Sequence, residues 1–124
     1  MPLDYRARLF NRRIAVAGPP IMLPAGVVKP ILPWSAIGED GVHAADLAVR
    51  VDVTAGTPVS QVVVLVRDEP GGPVAEAVYS GLSIQAGGFQ MFPAPAAGAE
   101  IHVLGESTAG ATVVARVVVA TVGC

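Results

Sequence analysis

An antiparallel β-sandwich is the fold this sequence predicts, and three stretches predict it. Residues 112–122 read TVVARVVVATV; β-branched residues crowd the run, which is too short and too stiff at χ1 for a comfortable helix. Val59–Arg67 reads VSQVVVLVR, apolar at odd and even positions alike, so both runs are expected as strands buried on both faces, sharing a sheet or facing one another across layers. Residues 47–53 instead alternate, with Leu47, Val49, Val51 and Val53 inward and Ala48, Arg50 and Asp52 outward, the pattern of a half-buried antiparallel strand.

The remaining elements follow from the turn signals between them. Residues 3–9 alternate Leu3, Tyr5, Ala7 and Leu9 against Asp4, Arg6 and Arg8, which is strand periodicity, although Leu3, Ala7 and Phe10 would also suit a short helix. Such a stretch is either an edge strand of the domain's own sheet or an arm that adds a strand to a neighbour. Between residues 18 and 33 stand five of the eleven prolines, Pro19, Pro20, Pro24, Pro30 and Pro33. Each removes a ladder donor and fixes φ, so this region is expected to be extended and poorly paired, and Trp34, which closes it, reads as a core or interface plug. Residues 1–37 are thus expected as an extended N-terminal arm and residues 38–124 as the sandwich core.

Within that core, residues 38–46 (GEDGVHAAD) form the most polar loop, and Ala55-Gly56-Thr57-Pro58 turns into Val59–Arg67. Asp68-Glu69-Pro70-Gly71-Gly72-Pro73 is a loop before a strand at 74–79. Residues 82–86 and 89–92 flank Gly87-Gly88, a pair suited to a two-residue hairpin. A strand at 100–104 and a turn at 106–110 lead into the last strand. Seven to nine short strands at hairpin spacing, with no convincing helix, predict a jelly-roll or immunoglobulin-like topology.

At 124 residues the chain is expected to be one domain, burying roughly two-thirds of its unfolded surface. Its 52% hydrophobic and 15% charged residues, against about 25% charged in typical domains, offer more apolar surface than one small core hides, which points to a subunit covered by partners. The net charge of −2 argues against a general nucleic-acid binder. The distribution is uneven: Arg6, Arg8, Arg12 and Arg13 are four of the eight basic residues, and a basic arm precedes an acidic body. Cys124 is the single cysteine and can form no intrachain disulfide, so synthesis in the cytosol is expected. No apolar run approaches the roughly 18 to 20 residues of a membrane span.

Chemistry is sparsely signalled. His43 and His102 stand apart and in no metal-binding spacing. Glu39, Asp40, His43 and Asp46 are the best candidates for a hard cation, yet they match no EF-hand pattern, and no metal or other cofactor is expected. Gly105-Glu106-Ser107-Thr108-Ala109-Gly110 lacks the spacing of a nucleophile elbow, so Ser107 reads as a turn residue. Cys124 has no base held beside it, and the pairs Glu39-Asp40 and Asp68-Glu69 read as solvated turn acids. No catalytic residue is assigned, and no enzyme activity is expected.

A small β-sandwich with excess apolar surface, a proline-rich N-terminal region and no evident active site resembles the decoration, or cement, proteins of tailed bacteriophages and gene-transfer particles. That resemblance implies a virion structural protein, made in the host cytoplasm, that attaches to the outside of the capsid. It implies homo-oligomers, trimers above all, at lattice symmetry points, bridging subunits of the major capsid protein without contacting nucleic acid or membrane. In that picture residues 1–37 are the clamp, with Arg6, Arg8, Arg12 and Arg13 pairing with capsid acids and Trp34 as an apolar anchor. Arg116, a charge midway along an apolar strand, needs a paired acid or an exit to solvent and is expected at an oligomer contact. The alternatives are a tail or baseplate adaptor and a carbohydrate-binding module, the latter resting on Phe89 and Phe92 as the only close aromatic pair.

Overall fold

The computed structural model describes residues 10–122, and its strands form two antiparallel sheets packed face to face. They are β1 (Phe10–Ala17), β2 (Ile21–Leu23), β3 (Lys29–Ala36), β4 (Asp46–Gly56), β5 (Val59–Arg67), β6 (Ala75–Tyr79), β7 (Phe89–Pro93), β8 (Glu100–Ser107) and β9 (Ala111–Val122), with one helical turn, α1 (Glu39–Val42), after β3. The first sheet runs β1-β9-β4-β7, with β2 also paired to β9; the second runs β3-β8-β5-β6. Apart from the β5–β6 hairpin, and with β1 and β2 counted as one edge interrupted at Gly18-Pro19-Pro20, each strand is followed by one in the other sheet. Two four-stranded sheets linked this way make a jelly roll, one of the two expected topologies.

Alternation decides which side chains make the core. In β4, Leu47, Val49, Val51 and Val53 are buried; in β9, Val113, Ala115, Val117 and Val119; in β8, Ile101 and Val103; in β5, Val62, Val64 and Val66. Phe92 from β7, Leu23 from β2 and Ile31 and Leu32 from β3 complete the cluster. The expectation that β9 and β5 are buried on both faces is corrected. On the outer side Ala120 of β9 and Val63 of β5 are buried, but Thr112, Val114, Arg116 and Val118 of β9 and Gln61, Leu65 and Arg67 of β5 are only half-buried. An apolar run marks the side chains of both faces alike, and the inner face alone meets the opposite sheet, so outward burial is confined to residues such as Val63 and Ala120.

The boundary expected at residue 37 is also corrected within the described residues. β1 pairs with β9 from Phe10↔Val122 to Ala17↔Arg116, β2 pairs with β9 and β3 pairs with β8. Residues 10–36 therefore belong to both sheets, while 1–9 lie outside the described residues. The prolines act locally: β3 is an edge strand with register shifts around Pro30 and Pro33, where a missing donor costs no ladder bond. The hairpin expected at Gly87-Gly88 is absent. Residues 82–86 cross between the sheets with Ile84 buried in the core and bridged to Val59, and the glycines meet β4 instead, Gly87 N–H donating to Val53 O at 2.7 Å and Val53 N–H to Gly88 O at 3.0 Å. The polar loop at 38–46 contains α1, entered through Gly38 at φ 79°, a conformation that favours glycine.

Candidate functional site

The outer face of the first sheet is the most developed surface in the described residues. Alternation turns Ala48, Arg50 and Asp52 of β4 outward, and the register sets them opposite Val118, Arg116 and Val114 of β9. On β7, Phe89 and Met91 fall opposite Asp52 and Arg50; on β1, Ile14 falls opposite Val118. Exposed large apolar side chains ring the face: Ile14 at 55%, Met22 at 76%, Phe89 at 55% and Met91 at 38%.

Two arginines sit directly across a strand pair at its centre, a placement that repels unless neutralised. Asp52 bridges the two and offsets one of their two charges. Arg116 Nη1 donates to Asp52 Oδ2 at 2.6 Å, and Arg50 donates through Nε and Nη2 at 3.1–3.2 Å. The Arg50 guanidinium also lies 3.9 Å from the Phe89 ring centroid, a stacking geometry that holds the fork flat on the face. The result is a surface rimmed by apolar side chains around a hydrogen-bonded cluster that keeps one net positive charge.

The second sheet carries Trp34. Its ring stacks on His102, with centroids 5.2 Å apart and planes 19° from parallel, and the Arg67 guanidinium lies 3.9 Å from its centroid. Arg67 Nε donates to Glu100 Oε1 at 2.7 Å. Burial lowers the His102 pKa from 6.5, against a backbone hydrogen bond with Leu32 that raises it, and the Arg67 charge lowers it further. Its Nδ1 is buried with no hydrogen-bond partner. Trp34 is thus half-buried within its own chain's cluster.

The other expected clamp residues are dispersed. Arg6 and Arg8 lie outside the described residues, and Arg12 is described only through its backbone pairing with Ala120. Arg13 is engaged within the chain, donating from Nε to Asp40 Oδ2 at 3.0 Å and pairing with it again through Nη2. Trp34 stands on the other sheet. Arg116 has the paired acid its position demanded. Sequence reasoning turned Arg50 and Asp52 outward but assigned them no role, because only the β4–β9 register brings them to Arg116.

Among the described residues no group of three His, Cys, Asp or Glu could hold a metal ion. Ser107 is fully buried; its hydroxyl lies 2.8 Å from Thr57 Oγ1 and 3.0 Å from Pro58 O and accepts from Gly110 N–H at 3.3 Å. It ties two turns together. A shallow hollow of about 350 Å³ at one end of the sandwich is lined by Met22, Leu23, Pro24, Ala55, Ala111 and their neighbours, with no titratable group. No described helix is long and apolar enough to cross a membrane. The surface and fold together define a jelly-roll module whose most conspicuous feature is an apolar sheet face. No protein-family model matches the chain, and no curated protein matches it significantly.

Proposed function

We propose that this chain is a virion structural protein, a decoration subunit that seats the outer face of its first sheet on the capsid lattice and bridges neighbouring capsid subunits. The observation that carries the reading is that face: Ile14, Met22, Phe89 and Met91 are exposed around the Arg50–Asp52–Arg116 ion cluster. Isolated exposed apolar residues are ordinary, whereas several on one sheet face mark an interaction surface. Sharing the Asp52 carboxylate makes covering Arg50 and Arg116 less costly than covering two lone cations, and the one net positive charge that remains calls for an acidic group on the partner. The jelly roll itself hosts many functions and adds no argument for this one.

The reading assigns no catalysis. It implies a homo-oligomer, trimers being the favoured arrangement, clustered where lattice subunits meet. Purified chain mixed with capsid shells that lack it should co-sediment at a fixed stoichiometry per shell subunit. Shells that sediment bare, at chain concentrations well above micromolar, would overturn the proposal. Binding to tails or baseplates but not to shells would do the same and favour the adaptor role.

A further inference from the structure

We propose that the edge of β6 pairs antiparallel with β6 of a second copy, joining the two second sheets into one. The pairing stands on the edge itself, and only its use on a shell rests on the decoration reading. A sheet edge offers a row of unpaired backbone donors and acceptors, and folded proteins blunt such edges with prolines, bulges or interruptions. The β1–β2 edge has a register shift after Ile14 and is broken by Gly18-Pro19-Pro20. β3 contains Pro30 and Pro33 and shifts register twice. β7 gives up its last donor to Pro93. β6 is the exception. Its five residues, Ala75–Tyr79, hold no proline and pair regularly with β5 from Val62↔Tyr79 to Val66↔Ala75. Among the described residues β6 has no neighbour on its other side.

The occupant follows because this strand is complementary to itself. On β6 the outward Glu76 and Val78 are exposed, while Ala75, Ala77 and Tyr79 face the core rim and are half-buried. Two copies of one edge meet antiparallel about a two-fold axis normal to the sheet, and directly opposed residues share a face. The axis must therefore pass between two copies of the same residue. Centred on Ala77, all five residues pair, with Glu76 opposite the partner's Val78 and Ala75 opposite the partner's Tyr79. Each ring then meets a methyl group at the rim, and no like charges are opposed. Centring on Glu76 or on Val78 pairs only three of the five strand residues, and the former sets two carboxylates face to face, which repels.

The direction of the axis has a consequence for docking. Rotation about the sheet normal turns the outer face of the first sheet to the same side in both copies. One chain has one such face, whereas the pair presents two toward a single surface, the arrangement that bridging neighbouring shell subunits requires. An isologous contact closes at two copies, so three-fold clustering would use other surfaces. Five residues a side make a small contact, and a weak pair is expected in solution. On a shell, two faces docked at once strengthen attachment without any new contact.

The test uses the full chain without shells. Sedimentation equilibrium at rising concentration should show reversible pairing, and backbone hydrogen exchange at Ala75–Tyr79 should slow as pairs form. Val78→Lys puts a cation opposite the partner's Glu76 twice in each pair and should tighten it about fivefold, while Val78→Glu should loosen it by about the same factor. Adding Glu76→Lys to Val78→Glu should restore the pairing. Val78 is 51% exposed and Glu76 is exposed, so each variant should keep the far-ultraviolet circular dichroism of the wild type. A chain that stays single up to roughly 1 mM, or assembly indifferent to both Val78 variants, overturns the pairing. Shells decorated by single copies sink the pair and leave the decoration reading intact, whereas pairs that ignore shells sink only that reading.

Discussion

Asp52 carries more of the outer face than its size suggests. It accepts from both Arg50 and Arg116, and its side chain is 18% exposed against 37–39% for the arginines. Replacing it with Asn keeps the shape but leaves two guanidiniums opposed across the strand pair. Asp52→Asn should lower stability by about 1–2 kcal/mol, a charged hydrogen-bond cost discounted for solvent access, and added salt should shrink the loss; chemical denaturation at low and high ionic strength measures both. The need for such a partner was legible in the sequence, since a lone Arg116 in an apolar strand requires one. Its identity was not, because it depends on residues 64 positions apart. His102 offers a second residue-scale test. Its folded pKa lies below 6.5 because burial disfavours the cation, so acid protonates the unfolded chain first. Stability contributed by the neutral ring is complete above about pH 6.5, falls as pH drops below that, and is fully lost once pH passes the lowered folded value. Arg67, Glu100 and the exposed Glu76 share this face. The denaturation midpoint should fall more from about pH 7.5 to about pH 5 in the wild type than in His102→Gln, with Trp34 fluorescence as reporter; parallel curves would refute it.

Among the elements, strand identity was legible wherever apolar residues ran or alternated, and burial was legible only as far as one face. β4 was read correctly because its polar residues mark its outer side. β9 and β5 were not, because valines on both sides hide which face meets the opposite sheet. The segment from 10 to 36 misled for a related reason: prolines advertise lost donors, and an edge strand needs only one row of them. β8 carries the element-scale prediction. Gly105 sits in mid-strand opposite Val62, and a Cβ there would run into Ile31 from β3. Gly→Ala in a strand would ordinarily gain from lower backbone entropy in the unfolded chain. Here overpacking wins, and Gly105→Ala should cost about 1–3 kcal/mol. A raised thermal midpoint in that variant would show that β3, an irregular edge, yields more easily than its packing implies.

For the whole molecule, the all-β sandwich was legible from composition and periodicity, while the choice of jelly roll over immunoglobulin-like order was not. Nearly every strand pairing here joins distant segments, and periodicity carries no information about partners. The same limit hid the proposed docking face, which is assembled from β1, β2, β4, β7 and β9. β7 lets its two sides be separated within one short strand. Phe92 points inward and is fully buried, whereas Phe89 and Met91 point outward and are exposed. Phe92→Ala should therefore cost about 3–5 kcal/mol through a core cavity. The double substitution Phe89→Ser and Met91→Ser should change stability by no more than about 0.5 kcal/mol, yet abolish co-sedimentation with capsid shells. Arg50 would lose the ring beneath it but keep Asp52, so the ion cluster persists as an internal control. Full shell occupancy by the double variant would exclude this face as the attachment surface, and a large loss of stability would instead assign Phe89 and Met91 to the fold.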